Sequence, residues 1–160
     1  MSTANDLADA IRSTDDVLSR FLEGFDETNA AAQTESLPNH ALWTMGHLAL
    51  TMHRAAERIA DTSFTLAWDP EPFALGSTPS GHRDDYPPFS EMIERYRRAL
   101  ALLCEAVAGV GDEGLARPVT WGQSATTARD LAVRMVFHNG LHCGQLVDLR
   151  RALGLEPVIR

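Results

Sequence analysis

The chain has 160 residues, a formal net charge of -8 and two cysteines, and its fourteen basic residues are all arginine. That length suits one domain, 1–160, with a sizeable core. The acidic balance opposes a phosphate backbone, so nucleic acid is not an expected partner, and Cys104 and Cys143 are too few for a disulfide framework and read as small buried apolar residues. No basic n-region precedes an apolar run, and no segment approaches the roughly 20 apolar residues of a membrane span. The expectation is a cytoplasmic protein with no membrane partner.

From Asp6 to Phe25 a stripe at 7, 11, 14, 18, 21 and 25 has helical spacing, with Thr3 and Asp6 spaced as a capping box and Gly24 near its end. A second helix is expected from the Ser36-Leu37-Pro38 start to about Ala60, with Pro in its first turn. It has two apolar faces: Leu42, Met45, Ala49, Met52, Ala56 and Ile59 on one, and Trp43, His47 and Leu50 nearly opposite. A helix apolar on both sides is buried on both sides. One face meets the core, and the other meets a further helix or a second copy of the chain, so a homodimer is expected.

Residues 61–88 carry five prolines and the aromatics Trp68, Phe73 and Tyr86. They read as a long irregular connection packed onto the domain as a covering flap, because a linker has no use for aromatics. Ser90 is placed to cap a third helix, with an inner stripe of Met92, Ile93, Tyr96, Leu100, Leu103 and Val107 that Gly109 and Gly111 end. A second loop passes Pro118, Trp121 and Gly122. Thr127 and Asp130 then open a fourth helix, from about Ala128 to Leu153, with Gly154 at its C-cap. No segment alternates as a strand. The fold class is therefore all-α: a four-helix bundle with a long crossover between helices two and three.

Chemistry concentrates in the fourth helix. His138 and His142, four apart, lie one turn above the other in a stripe of Leu131, Met135, His138, His142, Gln145 and Leu149, where leucine would ordinarily sit. Two histidines at this spacing form half a site for a divalent cation. Of the remaining histidines, His82 lies in a polar loop, His53 near a charged helix end, and His40 at a helix start. His47, deep in an apolar run, is best placed to complete the set. Three histidines would leave a coordination position open, as in a reactive rather than a purely structural centre. Core histidines satisfied without metal are the competing reading. No side chain stands out as a general acid or base, so the catalytic residues are unassigned.

The segments Trp43-Thr44-Met45-Gly46-His47-Leu48 and His138-Asn139-Gly140-Leu141-His142-Cys143-Gly144-Gln145 resemble the DinB-like superfamily, most sharply in the H-x-x-x-H-x-G-Q run. The resemblance implies a four-helix bundle with a divalent metal, zinc foremost and nickel, iron or manganese as alternatives, held by His47, His138 and His142. It further implies a metal-dependent S-transferase using a low-molecular-weight thiol as co-substrate for a small-molecule electrophile, with a hydrolase or a non-catalytic metal-stabilised dimer as alternatives. The thiol-dependent maleylpyruvate isomerase branch carries Glu where His138 stands, so the resemblance does not extend to it. Gln145, one turn from His142, is placed to orient a ligand, and Trp43 and Trp121 to wall a pocket. Cys143 points about 100° around the helix from His142 and is not counted as a ligand.

Overall fold

The computed structural model describes residues 2–158. Four helices carry the chain: α1 (Thr3–Leu22), α2 (Ala41–Ala60), α3 (Phe89–Gly114) and α4 (Ala128–Ala152). Between the last two lies an antiparallel hairpin of β1 (Pro118–Trp121) and β2 (Ser124–Thr127). Helix α1 packs against α3 and α4, and α2 packs against the same two. Among the described residues no helix is long and apolar enough to cross a membrane.

Contacts between chain ends give the helix directions. Asp112, near the end of α3, accepts hydrogen bonds from Ser2 Oγ (2.7 Å) and the Ala4 amide (2.9 Å) at the start of α1. Glu27, just after α1, accepts from the Phe89 and Ser90 amides (2.8 and 3.0 Å) at the start of α3. Arg117 donates to the Ile59 carbonyl at 2.6 Å, joining the end of α3 to the end of α2. Helix α3 is thus antiparallel to α1 and runs in the same direction as α2. Residues 61–88 must return along the molecule, and they do so against α2 and α3. Two 3-10 turns, Glu71–Phe73 and Arg83–Asp85, divide this connection, which is more ordered than the expected irregular flap. Phe73 is almost wholly buried, and Trp43 Nε1 donates to the Pro72 carbonyl at 2.9 Å.

Several helix ends differ from the expected ones, and at the starts of α1 and α3 the caps are distant in sequence. Thr3 makes no capping box; Asp112 takes the α1 amides. Helix α2 begins at Ala41, after Pro38, with His40 as its N-cap: Nδ1 accepts from the Trp43 amide (3.1 Å) while Nε2 meets the Ser80 carbonyl (2.9 Å). Ser90 lies inside α3, and Glu27 does its capping. Gly111, at φ 65°, breaks the helical path of α3 as expected, but one more turn follows. The Thr127 cap is present, its side chain accepting from the Asp130 amide at 3.1 Å. Arg150, buried although charged, donates to the Phe21 and Glu23 carbonyls at the end of α1.

The hairpin was not expected. Its strands have only four residues each, and Val119 is their one buried side chain, too short a run to show alternation. Gly122, at φ 60°, takes the first of the two turn positions, where a two-residue hairpin tolerates glycine best.

The core polar contact belongs to Asn139, fully buried on α4, whose Nδ2 donates to Thr14 Oγ1 on α1 and lies 3.4 Å from the Tyr96 hydroxyl on α3. It sets the rotation of α4, turning Asn139 toward α1 and α3 and leaving the neighbouring His138 on the α2 side.

Glu27 offers a direct test of the distant caps. The amides of Ser90 and Phe89 hold its carboxyl down to about 2, from an ordinary 4.5. Because the folded pKa is the lower one, its contribution is present above pH 4.5 and is lost as pH falls toward 2. Glu27→Ala is expected to cost about 1 kcal/mol near neutrality, the size of a lost helix cap. Urea melts across this range should show the gap to the parent protein closing in acid.

Candidate metal centre

His47 projects from the middle of α2, and His138 and His142 from successive turns of α4. The helices bring the three together: one ring nitrogen from each lies within 4.8 Å of the other two. Ring centroids stand 5.3 Å apart for His47 and His138, 5.2 Å for His47 and His142, and 4.6 Å for His138 and His142.

His47 is held from two sides. Its Nδ1 lies 2.9 Å from the Phe73 carbonyl. A carbonyl can only accept, so Nδ1 carries the proton and Nε2 presents its lone pair. Trp43 stacks on the imidazole, with centroids 4.7 Å apart and planes at 8°, while its Nε1 donates to the Pro72 carbonyl and to Ser77 Oγ. Trp43 is therefore a support of His47. The 61–88 connection supplies the other half of the clamp. Gly46 makes room for it: a Cβ there would stand 2.1 Å from the Phe73 ring.

On α4, the Nε2 atoms of His138 and His142 face each other at 3.2 Å. Two nitrogens each about 2.0–2.1 Å from a tetrahedral ion stand about 3.3 Å apart, so this spacing suits a shared cation. The Nδ1 atoms of both rings are buried without a hydrogen-bond partner, as is Gln145 Oε1. Burial pushes the pKa of His138 down to about 4, with the charge of His47 adding to the effect. Burial likewise brings His142 to about 3, helped by His138 and His47 and opposed by Gln145, which lies against the ring. His47 is lowered too, by burial first, against the pull of the Phe73 carbonyl. All three imidazoles are neutral near pH 7, the protonation state that ligates a cation. The residues present fit a divalent ion in donor type, spacing and protonation.

The other histidines stand elsewhere. His40 caps α2, His53 Nε2 lies 3.3 Å from the Phe64 carbonyl, and His82 is exposed in the connection. Cys143 is buried, its thiol pushed up to about 11 by burial, and is not in the cluster. Trp121 is half-buried and does line the space beside the cluster. That space is a cleft of ≈ 500 Å³, with His47 and His138 in its wall together with Leu50, Leu75 and Met135.

A family profile described as the DinB superfamily matches residues 10–146, a span that contains all three histidines. The chain belongs to the DinB superfamily. A comparison with proteins of curated function found no match. In this DinB-superfamily chain, the residues that sequence reasoning passed over are those acting through backbone or through absence: the Phe73 carbonyl that orients His47, and the missing side chain of Gly46. Gly46 sits beside His47 in sequence, but its partner is 27 residues away and is found only in the fold.

Gly46→Ala tests this support. The Phe73 ring has no flexible end to move aside, so the substitution is expected to cost about 1–3 kcal/mol and to free His47 from its carbonyl. Denaturant melts should show the loss, and calorimetric titration with Zn²⁺ should show weakened binding in the protein that remains folded.

Proposed function

We propose that this protein is a metal-dependent enzyme in which His47, His138 and His142 hold one divalent cation, zinc foremost, and that it joins a low-molecular-weight thiol to an electrophilic small molecule. The observation that most supports this is a cluster of three neutral nitrogen donors, with no fourth such donor among the described residues, of which His47 and His138 stand in the wall of a cleft. Three neutral ligands leave the ion its full charge and at least one coordination position open. A divalent cation supplies Lewis acidity there, lowering the pKa of a thiol or water that it binds.

The chain's own residues have separate tasks. The Phe73 carbonyl and Trp43 hold the His47 ring and its tautomer. Gln145, whose Oε1 and the Nδ1 of His142 are both buried without a partner, would by a small turn of its side chain orient that ring as outer partners orient metal-bound imidazoles. Trp121 and Leu75 flank the space a substrate would enter. On this reading the chain is a single-domain, four-helix bundle of the superfamily with its crossover between α2 and α3, and it works in the cytoplasm.

Metal analysis gives the first test. The purified protein is expected to carry about one divalent ion per chain, and His142→Ala to lose it. Chelation should abolish thiol-dependent turnover while the helical circular-dichroism signal persists. Ester cleavage without thiol would assign a hydrolase instead, and absence of metal from both proteins would end the proposal.

A homodimer belongs to the same reading, on a different surface from the one expected. The second apolar face of α2 is covered within the chain: Trp43, His47 and Leu50 are all under 8 % exposed. An uncovered apolar stripe lies instead on the outer side of α4, where Val133, Phe137 and Leu141 recur at four-residue spacing and are 49 %, 70 % and 50 % exposed. Light scattering should find a dimer that Phe137→Glu converts to a monomer with its metal content unchanged. A monomeric parent protein would rule this contact out.

A further inference from the structure

The cleft beside the histidine cluster has an electrostatic character that the metal proposal does not use. Its wall contains three arginines, Arg54, Arg58 and Arg134, in a chain whose formal net charge is -8. All three are exposed, and none enters an ion pair among the described residues. The seven arginines that do form ion pairs lie outside this wall. Glu57, the one carboxylate among the described residues of the wall, accepts from the Phe64 amide at 3.0 Å and stands 3.7 Å from His53 Nε2. Arg54 and Arg58 are four apart on one helix, a like-charge spacing that costs stability when nothing lies between them.

Their placement is directional. Along α2, His47, Arg54 and Arg58 follow at intervals of seven and four and share one face. On α4, Arg134 is one turn before His138. Because α2 and α4 run in opposite directions, a step toward the C-terminus of α2 and a step toward the N-terminus of α4 lead the same way from the cluster. Arg134 is displaced by about 6 Å along its helix and Arg54 by about 10 Å.

The rest of the wall is apolar. Leu75, on the 61–88 connection, is 90 % exposed, and Trp121, at the hairpin turn, is half-buried beside the same space. A leucine held in water at the mouth of a cleft gains contact only when something apolar enters.

We infer that the cleft binds an amphipathic organic anion, its apolar body between Leu75 and Trp121 and its carboxylate or phosphate on Arg54 and Arg134, with Arg58 adding attraction further out. This deepens the metal-enzyme reading by naming the substrate class of that site. It rests on that reading only for which end of the ligand meets the histidines. Guanidinium groups match planar oxyanions in geometry and keep their charge at every working pH. A neutral analogue of the same shape would leave them unpaired.

Calorimetric titration of the protein as purified, at low salt, tests this with three matched probes: 4-phenylbutanoate, 2-phenylethyl phosphate and the neutral 4-phenylbutanamide. At least one anion is expected to bind about tenfold or more tightly than the amide and to weaken as salt is raised; the tighter anion identifies the head group. Arg54→Gln and Arg134→Gln should each weaken anion binding several-fold with Zn²⁺ affinity and melting temperature retained. Arg98→Gln, on another face and paired with Glu94 at 3.1 Å, should change nothing. Conversely His142→Ala should lose Zn²⁺ and still bind the anion, so failure of the metal reading and failure of this inference are separable. Equal affinity for amide and acid, indifference to the Arg54 and Arg134 substitutions, or no binding of either anion would overturn the inference.

Discussion

The hydrogen bond between His47 and the Phe73 carbonyl is the contact on which the centre depends. It requires a backbone oxygen 26 residues away to be brought to one imidazole nitrogen at 2.9 Å. That in turn requires the Phe73 ring to lie flush against α2 at Gly46, where any side chain would collide with it. Trp43 closes the arrangement by stacking on the imidazole and bonding to the same segment at Pro72 and Ser77. One face of α2 thus both anchors the connection and is shaped by it.

The shared direction of α2 and α3 makes this possible. A short hairpin between them would have left that face of α2 open, whereas a return connection must travel along it and can cover it. The caps follow the same logic. Asp112, Glu27 and Arg150 each satisfy helix-end groups of an element other than their own, so helix ends are tied to tertiary packing rather than to local sequence. Unpaired amides at the starts of α1 and α3 gain carboxylate acceptors, and carbonyls at the end of α1 gain the buried Arg150 guanidinium, which would be costly without them.

Asn139 has a comparable role inside the core. Its contacts with Thr14 and Tyr96 link α1, α3 and α4 and turn the fourth helix so that its two histidines meet α2. The cluster, its cleft and the apolar outer stripe at Phe137 are three arcs of the same helix. Rotating α4 would move all of them at once.

Much of this protein was legible in one dimension because helical periodicity is a local property. The four helices, the two-sided burial of α2, the Thr127 cap and the candidacy of His47, His138 and His142 all follow from residue spacing and apolar pattern, and the H-x-x-x-H-x-G-Q run pointed to the superfamily that the profile match shows. The hairpin was missed because four-residue strands are too short to display a period, and the starts of α1 and α3 because their caps, Asp112 and Glu27, lie outside those helices' own starts; α2 starts late because His40, not the Ser36-Leu37-Pro38 stretch, caps it. Which histidines converge, which ring nitrogen is free, and that Arg54 and Arg134 lie on the same side of the cluster depend on relative helix direction and rotation. Those are set by long-range contacts such as Asp112 with Ala4, Glu27 with Phe89 and Phe73 with Gly46, and no local pattern encodes them.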